Sequence, residues 1–334
     1  MATIAINGFG RIGRSFFREA FGLAEFDIVA VNDLTDIATL CYLLKYDSVY
    51  RKYGKNVESG EGKIMVDGKE IKVFAQKDPA KLPWKDLGID IVVESTGFFA
   101  DGEKASAHLA AGAKRVVITA PAKGDVTTAL IGVNDDRFAA SGPMTCNASC
   151  TTNSVAPVMA ILHETLGVQK ASMTTVHAYT ATQKLVDGPD VKDMRRGRAA
   201  AVNIVPSSTG AAEAVIQAIP ELKGKFDAVS VRVPSITGSL SVITALVNKT
   251  ITVGEINALF ASASKEPRWQ KVLKVTVDEV VSSDIIGEPY GAIVDVKLTK
   301  VTDGNLVSVF SWYDNEAGYT ATLIEHVKRV ARFL

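Results

Sequence analysis

Cys150 is the residue in this sequence whose type and surroundings best fit covalent chemistry. It lies in the heptapeptide Asn147-Ala-Ser-Cys-Thr-Thr-Asn153, among small hydroxyl and amide side chains, and an apolar pattern at helical spacing follows it. The pattern predicts that Cys150 lies at the start of a helix, where backbone N–H groups and the helix dipole favour a thiolate and lower the thiol pKa. The heptapeptide alone is equally compatible with a buried structural cysteine.

His177 is the candidate partner of this thiol. It follows an apolar, strand-like run and opens the segment His177-Ala-Tyr-Thr-Ala-Thr-Gln183, whereas the histidines at 108, 163 and 326 fall in helical patterns. In such a pair the imidazole holds the thiolate and then removes a proton from the reacting group. A lone histidine at a strand end is more often structural. That Cys150 and His177 lie close together in the fold is therefore a hypothesis, which the sequence does not prove.

A second chemical signal is the stretch Gly8-Phe9-Gly10-Arg11-Ile12-Gly13. A short β-branched run precedes it, and apolar residues at helical spacing follow it. In this context Gly8 allows a tight turn, Gly10 lets the backbone approach a pyrophosphate, and Gly13 lets the helix pack on the strand. Asp33 ends the next predicted strand, twenty residues past Gly13, where a carboxylate binds the adenosine ribose. These residues predict a dinucleotide site; the alternative is a plain glycine turn beside a strand-end aspartate.

Composition and charge narrow the class of protein. The chain has 334 residues, which is long for one core, so we expect two domains. Lys+Arg and Asp+Glu both number 37, which argues against binding to nucleic acid or an anionic membrane. Three cysteines make no disulfide framework, and no His or Cys pair near Cys146 and Cys150 completes a zinc set. Because signal-peptide and membrane-spanning patterns are also lacking, we expect a cytoplasmic protein.

Predicted strands and helices alternate in the first part of the chain, and they must position the residues of the dinucleotide site. The predicted elements are strands at 3–6, 27–31, 89–94, 115–119 and 129–133, with helices after Gly13 and at 105–111. Residues 41–81 are predicted to be an excursion with a hairpin at Asp67-Gly68. The alternation predicts a parallel sheet, whose ligands lie at the carboxyl ends of the strands. Thr96 and Thr119 follow two of those ends.

The alternation of predicted strands and helices ends near Ser149, where we place a domain boundary. The predicted elements beyond the Cys150 helix are a helix at 207–219, a final amphipathic helix at 318–333, and strands at 171–180, 228–233, 240–247, 292–298 and 306–313. Ser208, Thr209 and Gly210 are expected in the first turn of the 207–219 helix. The strands predict a mixed or antiparallel sheet with helices on one face. The long polar stretch at 183–203 predicts a functional or interface loop.

A series of short motifs carries further information. They are Ile6-Asn-Gly-Phe-Gly-Arg-Ile-Gly-Arg14, Glu94-Ser-Thr-Gly97, Thr119-Ala-Pro-Ala122, the stretches 147–153 and 177–183, Arg195-Arg196 leading into Asn203, Ser208-Thr-Gly-Ala211, Arg232-Val-Pro234 and Trp312-Tyr-Asp-Asn-Glu316. In order and spacing they resemble the phosphorylating glyceraldehyde-3-phosphate dehydrogenase family over nearly the whole chain. Several of them are specific to that family.

The resemblance implies an α/β fold class and a domain plan. An N-terminal Rossmann-type parallel-sheet domain (1–149) would be followed by an α+β catalytic domain with a mixed or antiparallel sheet (150–315), and a C-terminal helix (316–334) would pack back on the first domain. It also implies NAD as cofactor, and a triose phosphate and inorganic phosphate as small-molecule partners. The 183–203 loop resembles the segment that reaches a neighbouring subunit of a homotetramer in this family.

The resemblance further implies a role for each matching residue. Cys150 would be the nucleophile and His177 the base, while Thr180 and Arg232 would bind the substrate phosphate. The residues around the attacking inorganic phosphate would be Ser149, Thr151, Arg196, Thr209 and Gly210. The residues lining the dinucleotide would be Gly8, Gly10, Arg11, Ile12, Gly13, Asp33, Thr96 and Thr119, with Asn315 orienting the nicotinamide carboxamide.

The implied activity is the glycolytic oxidative phosphorylation of D-glyceraldehyde 3-phosphate to 1,3-bisphosphoglycerate, through a hemithioacetal and a thioester on Cys150. One alternative is an erythrose-4-phosphate dehydrogenase on the same fold, which usually lacks the Thr180 pattern. Another is a non-catalytic binding or redox-sensing protein, which loss of Cys150, His177 or Arg232 would favour. Gly188 stands where NAD-preferring members usually carry leucine.

Overall fold

Short apolar strands and amphipathic helices divide the chain between two sheets. The computed structural model describes residues 1–191 and 193–334. The described chain separates into a first unit, made of Met1–Ala129, Asp135–Ala148 and Leu323–Leu334, and a second unit, made of Leu130–Asn134 and Ser149–Thr322.

The first unit is organised around a sheet that has nine strands among the described residues. The strands are β1 (Ala2–Asn7), β2 (Phe26–Asn32), β3 (Val57–Gly60), β4 (Lys63–Val66), β5 (Lys69–Phe74), β6 (Ile91–Glu94), β7 (Arg115–Ile118), β8 (Thr127–Thr128) and β9 (Met144–Cys146), and the helices are α1 (Arg11–Ala20), α2 (Ile37–Lys45), α3 (Gly102–Ala110) and α4 (Asp136–Ala140). The spatial order is β3-β4-β5-β2-β1-β6-β7-β9-β8, parallel from β5 onward. The part from β5 to β9 has the strand order of dinucleotide-binding sheets, which confirms the predicted parallel sheet.

Two predictions for the first part of the chain are wrong. Residues 41–81 are no excursion, because β5 pairs in parallel with β2 and the hairpin therefore extends the sheet. Residues 129–133 are not a strand. Gly132 has a φ of +80°, and the Leu130 N–H donates to Asn134 Oδ1 at 2.7 Å, which closes a turn. Ala129, Leu130 and Ile131 are buried, which accounts for their apolar character, and β9 rather than this segment lies beside β7.

In the described part of the second unit, eight strands form a mixed sheet. The strands are β10 (Val168–Ala178), β11 (Val205–Ser207), β12 (Phe226–Val233), β13 (Ser239–Val247), β14 (Leu273–Thr276), β15 (Ala292–Asp295), β16 (Lys300–Thr302) and β17 (Leu306–Tyr313), and the helices are α5 (Cys150–Leu166), α6 (Ala211–Ala218) and α7 (Val253–Ala263). The order is β11-β12-β10-β13-β17-β15-β14, with β16 on β17. The β10–β12 and β14–β15 pairs are parallel and the others antiparallel, as the prediction of a mixed sheet requires.

Helix α5 is the element that positions Cys150. Val155, Val158, Met159 and Leu162, whose spacing predicts the helix, are fully buried, and α5 packs on β13, β15 and β17. Burying that many apolar side chains holds α5 in one place, because each fully buried large side chain contributes about 1.5–3 kcal/mol. Its first residue therefore has a defined position relative to the sheet of the second unit.

Two further helices, α6 and the C-terminal helix, follow later in the chain. Helix α6 begins at Ala211, so the prediction of a helix from 207 is wrong at its start; residues Val205–Ser207 pair with β12 as β11 instead. The last helix, α8 (Ala317–Ala331), begins in the second unit and ends in the first. Short 3-10 helices lie at Pro79–Lys81, Met194–Gly197, Pro220–Leu222 and Ser282–Ile285. Within the described ranges, no helix combines the length and apolar character needed to cross a membrane.

Candidate active site

The first turn of α5 presents Cys150. Ser149 is the N-cap: its backbone is extended, and its hydroxyl oxygen accepts a hydrogen bond from the Thr152 N–H at 3.1 Å. A serine starts a helix here because its side chain satisfies a backbone N–H that the helix leaves without an intrahelical partner. Ala148, just before the cap, has a φ of +51°, a strained left-handed conformation for a residue with a Cβ. Such strain is characteristic of functional sites.

His177 meets this thiol from the end of β10. Its Nε2 lies 3.4 Å from Cys150 Sγ. The parallel pairing of β10 and β12 sets Arg232 opposite His177, and Arg232 Nη1 lies 2.9 Å from His177 Nδ1 and 3.1 Å from the Ala178 carbonyl oxygen. The structure therefore places a thiol, an imidazole and a guanidinium side by side.

The neighbours of His177 indicate which ring nitrogen carries the proton. The Ala178 carbonyl oxygen lies 2.7 Å from Nδ1 and can only accept, so Nδ1 carries the proton and donates to it. Arg232 donates to the same carbonyl oxygen, which brings its Nη1 close to Nδ1. In this tautomer Nε2 holds a lone pair directed at Cys150 Sγ. A base thus faces the acidic proton of the thiol.

Burial controls the charges of this pair. Burial, and then the charge of Arg232, lower the pKa of His177 to about 3, so the imidazole is neutral at pH 7. Burial raises the pKa of the Cys150 thiol, although Arg232 and hydrogen bonds from Thr151 act in the opposite direction. The expected lowering of the thiol pKa is therefore wrong for this arrangement, because desolvation outweighs the helix start. These directions favour a thiol facing a neutral imidazole over an ion pair.

Tyr313, which no motif singled out for a role, joins α5 to β10. Its hydroxyl group bonds to Thr151 Oγ1 at 3.0 Å and to Thr175 Oγ1 at 2.7 Å. Its ring meets the His177 ring edge-on, with centroids 5.9 Å apart and planes at 78°. Tyr313 therefore fixes both Thr151 and the imidazole. Its signals in the sequence are a place at the end of an alternating strand, which a core tyrosine also occupies, and membership of the motif Trp312-Tyr-Asp-Asn-Glu316, which assigns it no role.

The residues predicted to bind the substrate phosphate are Thr180, just past the end of β10, and Arg232, near the end of the neighbouring strand β12. Thr180 lies two residues beyond the end of β10, where its hydroxyl group bonds to that of Thr182 at 2.9 Å. Burial lowers the pKa of Arg232, whereas the neighbouring Cys150 raises it. A guanidinium keeps its charge under such conditions and offers several donors to phosphate oxygens. An anionic substrate group would therefore be drawn towards the reacting sulfur.

Arg196, Thr209 and Gly210, predicted to surround the attacking phosphate, lie near α6. Arg196 donates to Ser207 Oγ from Nε at 2.8 Å and from Nη2 at 2.6 Å. Thr209 Oγ1 accepts from the Ala211 N–H at 3.2 Å, and Gly210 is the N-cap of α6, so both precede the helix instead of lying in its first turn. The charge of Arg196 also contributes to lowering the pKa of Arg232.

Asn315 follows β17 in the second unit, and its amide is oriented by hydroxyl groups. Its Oδ1 lies 3.0 Å from Ser239 Oγ and 3.2 Å from Thr237 Oγ1. Ser239 Oγ already accepts from the Ala178 N–H at 3.1 Å, so its own hydrogen is available to donate to Asn315. These contacts hold the amide oxygen and direct the NH₂ group elsewhere, as a donor suited to a carboxamide oxygen.

The glycine turn of the first unit fits a dinucleotide. A Cβ at Gly8 would lie 2.7 Å from the Thr96 nitrogen, and a Cβ at Gly13 would lie 2.1 Å from the Gly8 carbonyl oxygen, so both positions require glycine. At Gly10, none of the described residues would come within 4 Å of an added Cβ, so the backbone is open to a ligand. Helix α1 starts directly after Gly10, and its N-terminal N–H groups favour a pyrophosphate.

Asp33 lies at the edge of a cavity of about 530 Å³ in the same unit. Its Oδ2 accepts from the Phe9 N–H at 2.7 Å and its Oδ1 from the Thr35 N–H at 2.9 Å, so the carboxylate is fixed beside the glycine turn. The cavity lining includes the predicted residues Gly8, Gly10, Asp33 and Thr96.

The predicted residues Arg11, Ile12 and Thr119 are not among those that line this cavity. Arg11 forms an ion pair with Asp47, and Ile12 is half-buried in α1. The backbone N–H of Thr119, just past β7, donates to the Glu94 carbonyl oxygen at 3.0 Å. Across the described ranges, no cluster of three or more His, Cys, Asp and Glu side chains could hold a metal ion.

Comparisons with known proteins extend these observations. The family model described as "Glyceraldehyde 3-phosphate dehydrogenase, NAD binding domain" matches residues 2–102, and the one described as "Glyceraldehyde 3-phosphate dehydrogenase, C-terminal domain" matches residues 149–315. A protein of Thermotoga maritima named glyceraldehyde-3-phosphate dehydrogenase is 54% identical over 327 residues, covering 97% of this chain and 98% of its own. Proteins of the same name from Clostridium pasteurianum and Borreliella burgdorferi are each 48% identical, over 99% and 98% of this chain and 99% of their own.

Proposed function

This chain belongs to the glyceraldehyde-3-phosphate dehydrogenase family, and we propose that it oxidises and phosphorylates D-glyceraldehyde 3-phosphate to 1,3-bisphosphoglycerate with NAD. The observation that carries the proposal is the 3.4 Å contact between Cys150 Sγ and His177 Nε2, with Arg232 against the same imidazole. A thiol with a facing base and a neighbouring cation is suited to attack on the aldehyde of an anionic substrate.

In the first half of the reaction, one proton moves from Cys150 to His177 and on to the substrate. As the sulfur attacks the aldehyde carbon, His177 Nε2 takes the thiol proton and returns it to the aldehyde oxygen, giving a neutral hemithioacetal. His177 then removes that hydroxyl proton as the C–H bond loses a hydride, and a thioester with an imidazolium remains. The Cys150 N–H at the start of α5 is a donor for the oxygen that becomes negative on the way.

The second half of the reaction transfers the acyl group to phosphate. A phosphate oxygen attacks the thioester carbon, the C–S bond breaks, and the departing sulfur recovers its proton from the imidazolium of His177. The attacking phosphate loses its remaining proton to solvent. We assign the binding of this phosphate to Ser149, Thr151, Arg196, Thr209 and Gly210, and that of the substrate phosphate to Thr180 and Arg232, because hydroxyl, backbone N–H and guanidinium groups suit phosphate oxygens.

NAD would supply the hydride acceptor. We propose that Gly8, Gly10 and Gly13 hold its pyrophosphate, since two of these positions admit no Cβ and the third is open. Asp33 would accept hydrogen bonds from the adenosine ribose, and Asn315 would donate its NH₂ group to the carboxamide. Arg11, Ile12, Thr96 and Thr119 would complete the lining. In this plan the first domain (1–149, with the helix 316–334) binds NAD, and the second (150–315) binds the substrate.

The alternative substrate, erythrose 4-phosphate, is disfavoured by the segment after His177. Thr180 and Thr182 are both present, and their hydroxyl groups lie 2.9 Å apart beyond the strand that carries His177. The resemblance places that threonine pattern with the triose rather than the tetrose. A non-catalytic role is disfavoured because His177 contacts both Cys150 and Arg232.

A steady-state assay with and without phosphate tests the proposed function. With NAD and D-glyceraldehyde 3-phosphate we expect sustained NADH formation when phosphate is present, and a single turnover when it is left out, because the thioester then accumulates. Sustained turnover without phosphate would show an aldehyde oxidation that ends in hydrolysis. Faster turnover of erythrose 4-phosphate than of the triose would favour the alternative substrate.

We also propose that the protein is a cytoplasmic homotetramer in which the loop 183–203 contacts a neighbouring subunit. Leu185 (81%), Val191 (99%) and Met194 (90%) are exposed on this loop, although the Gly188 N–H donates to the Gly197 carbonyl oxygen at 2.8 Å and gives the loop a defined shape. Apolar side chains presented by an ordered loop are typical of a protein–protein interface. Lys192, within the predicted loop, lies outside the described residues.

Light scattering after size exclusion tests the assembly. The wild-type protein should have the mass of four chains, and Val191→Asp should shift it towards smaller species. The control Val277→Asp changes a valine that is 64% exposed in another part of the second unit and should leave the mass unchanged. A monomeric wild type would contradict the proposal.

A further inference from the structure

Hydrogen bonds between buried side chains run through the first unit from Trp84 to the wall of the glycine-lined cavity. Trp84 and His108 are fully buried and Glu94 is 2% exposed. Trp84 Nε1 lies 3.0 Å from His108 Nδ1, and His108 Nε2 lies 3.0 Å from Glu94 Oε2. None of these side chains is part of the dinucleotide site assigned above, but Glu94 contacts Thr96, which is part of it.

The direction of these hydrogen bonds follows from Trp84. An indole N–H can only donate, so His108 Nδ1 must accept and His108 Nε2 must carry the hydrogen. His108 therefore donates to Glu94. This removes the usual ambiguity of a histidine tautomer, because only one proton arrangement satisfies both contacts.

Glu94 collects donors on both of its carboxylate oxygens. Oε2 accepts from His108 and from Asn7 Nδ2 at 2.5 Å. Oε1 accepts from the Thr96 N–H at 2.8 Å and from Thr96 Oγ1 at 2.5 Å. A buried carboxylate is stable only when its oxygens are satisfied in this way. Glu94 therefore holds Asn7 and Thr96 in fixed orientations.

A second branch continues from Asn7 along the cavity wall. Asn7 Oδ1 accepts from Asn32 Nδ2 at 2.7 Å, and Asn32 Oδ1 accepts from the Gln76 N–H at 2.8 Å. Because Asn7 donates to Glu94, its amide can point only one way, and this orientation is passed on to Asn32. Asn7, Asn32, Gln76 and Thr96 all line the cavity of about 530 Å³.

We propose that Glu94 and His108 are positioning residues for the dinucleotide. They set the place of Thr96 and the amide orientations of Asn7 and Asn32, and through these the shape of the wall that the cofactor meets. Thr96 in turn packs against the glycine turn, since a Cβ added at Gly8 would lie only 2.7 Å from the Thr96 backbone nitrogen. This inference rests on the dinucleotide site of the proposed function.

Equilibrium titration of NAD on the full-length protein tests the proposal. In Glu94→Gln an NH₂ group replaces one accepting oxygen and meets donors that have no other acceptor there. In His108→Gln the link between Trp84 and Glu94 is cut. We expect both variants to bind NAD about 10- to 100-fold more weakly, the usual cost of losing a hydrogen bond to a charged group. At saturating NAD, kcat and the KM for the aldehyde should stay within about twofold, a change below 0.5 kcal/mol.

His326→Gln is the matched control. His326 is also fully buried in a helical segment of the first unit, and its ring nitrogens contact Thr145 Oγ1 at 2.8 Å and the Ala129 carbonyl oxygen at 3.1 Å, away from Glu94. His326→Gln should lower the free energy of unfolding as much as His108→Gln does. It should leave NAD affinity within about twofold of the wild type, because no link to Thr96 is broken. Equal loss of NAD affinity in both histidine variants would reduce His108 to a general structural role and overturn the proposal.

A milder change covers the case in which Glu94→Gln does not fold. Trp84→Phe keeps a ring and removes only the N–H that fixes the His108 tautomer, and we expect NAD binding to weaken about threefold or more. If folded Trp84→Phe and His108→Gln both bind NAD like the wild type, the network does not position the cofactor. Failure of the wild type itself to bind NAD would instead contradict the proposed function.

Discussion

Replacement of His177 by asparagine is expected to slow hydride transfer without weakening NAD binding. The structure sets the magnitude. His177 Nε2 is 3.4 Å from Cys150 Sγ and is the base for both the thiol and the hemithioacetal, a role worth about 10²–10⁴-fold in rate. Because burial and Arg232 lower the pKa of His177 to about 3, it is a weak base at pH 7, and the lower half of that range applies. We therefore expect a loss of about 10²–10³-fold, which is about 2.7–4.1 kcal/mol in the barrier.

Stopped-flow measurement of the first turnover of NADH, without phosphate, isolates this step. His163→Asn is the control, because His163 lies at the far end of α5 and its Nδ1 accepts from the Val168 N–H at 3.2 Å, remote from the thiol. A His177→Asn variant that forms NADH within about threefold of the wild-type rate would refute the assignment of His177 as the base, since the change would be below 1 kcal/mol.

Three further perturbations address the phosphate, the cofactor and the fold. Arg232→Gln should lower kcat/KM for the phosphorylated aldehyde by about 1.5–3 kcal/mol more than for glyceraldehyde, because only the phosphate loses a charge-assisted contact. Asp33 should favour NAD over NADP by about one to three decades in kcat/KM, since a 2′-phosphate at about 4 Å would be repelled by roughly 1–4 kcal/mol, and Asp33→Ser should narrow the gap mainly by improving NADP. His326 has its pKa lowered to about 3 by burial, so the folded state is stabilised by a neutral ring above pH 6.5 and loses that stability as pH falls. The loss is about 2 kcal/mol between pH 7 and 5, and in urea denaturation His326→Gln should lack it.

Each of these has an outcome that contradicts it. Equal losses on both aldehydes would mean that Arg232 acts only through its contact with His177. Near-equal use of NAD and NADP by the wild type would mean that the space left by Gly188 outweighs the carboxylate of Asp33. An unchanged pH dependence of unfolding in His326→Gln would mean that another group is responsible for the acid sensitivity.

Local patterns in the sequence were sufficient for the parts of the fold and site that depend on neighbouring residues. The start of α5 was predictable because Ser149 caps the helix and apolar side chains at helical spacing follow Cys150. The glycine turn was predictable because a Cβ at Gly8 or Gly13 would collide with backbone atoms. Only glycine fits there, so the requirement is visible in the sequence itself. The family predicted from the motifs is confirmed by both matching domain models.

What could not be predicted depends on distant contacts. Strand β5 joins the sheet through pairing with β2, about forty residues away, a separation beyond any local pattern. Tyr313 reaches Thr151 across 162 positions. The sign of the Cys150 pKa shift is set by burial, which the heptapeptide alone does not reveal. The Glu94–His108 network likewise exists only once β6 and α3 are packed together.

The central claim is that Cys150 carries the acyl group during turnover, and the most direct test is to observe that group. The protein should be mixed with NAD and D-glyceraldehyde 3-phosphate without phosphate, quenched in acid, digested and examined by mass spectrometry. We expect an acyl adduct on the peptide that contains Cys150, its disappearance when phosphate is added before the quench, and no adduct or sustained turnover in Cys150→Ser. An adduct on another peptide, or a Cys150→Ser variant that keeps a tenth or more of the wild-type rate, a deficit of only about 1.4 kcal/mol, would contradict the account.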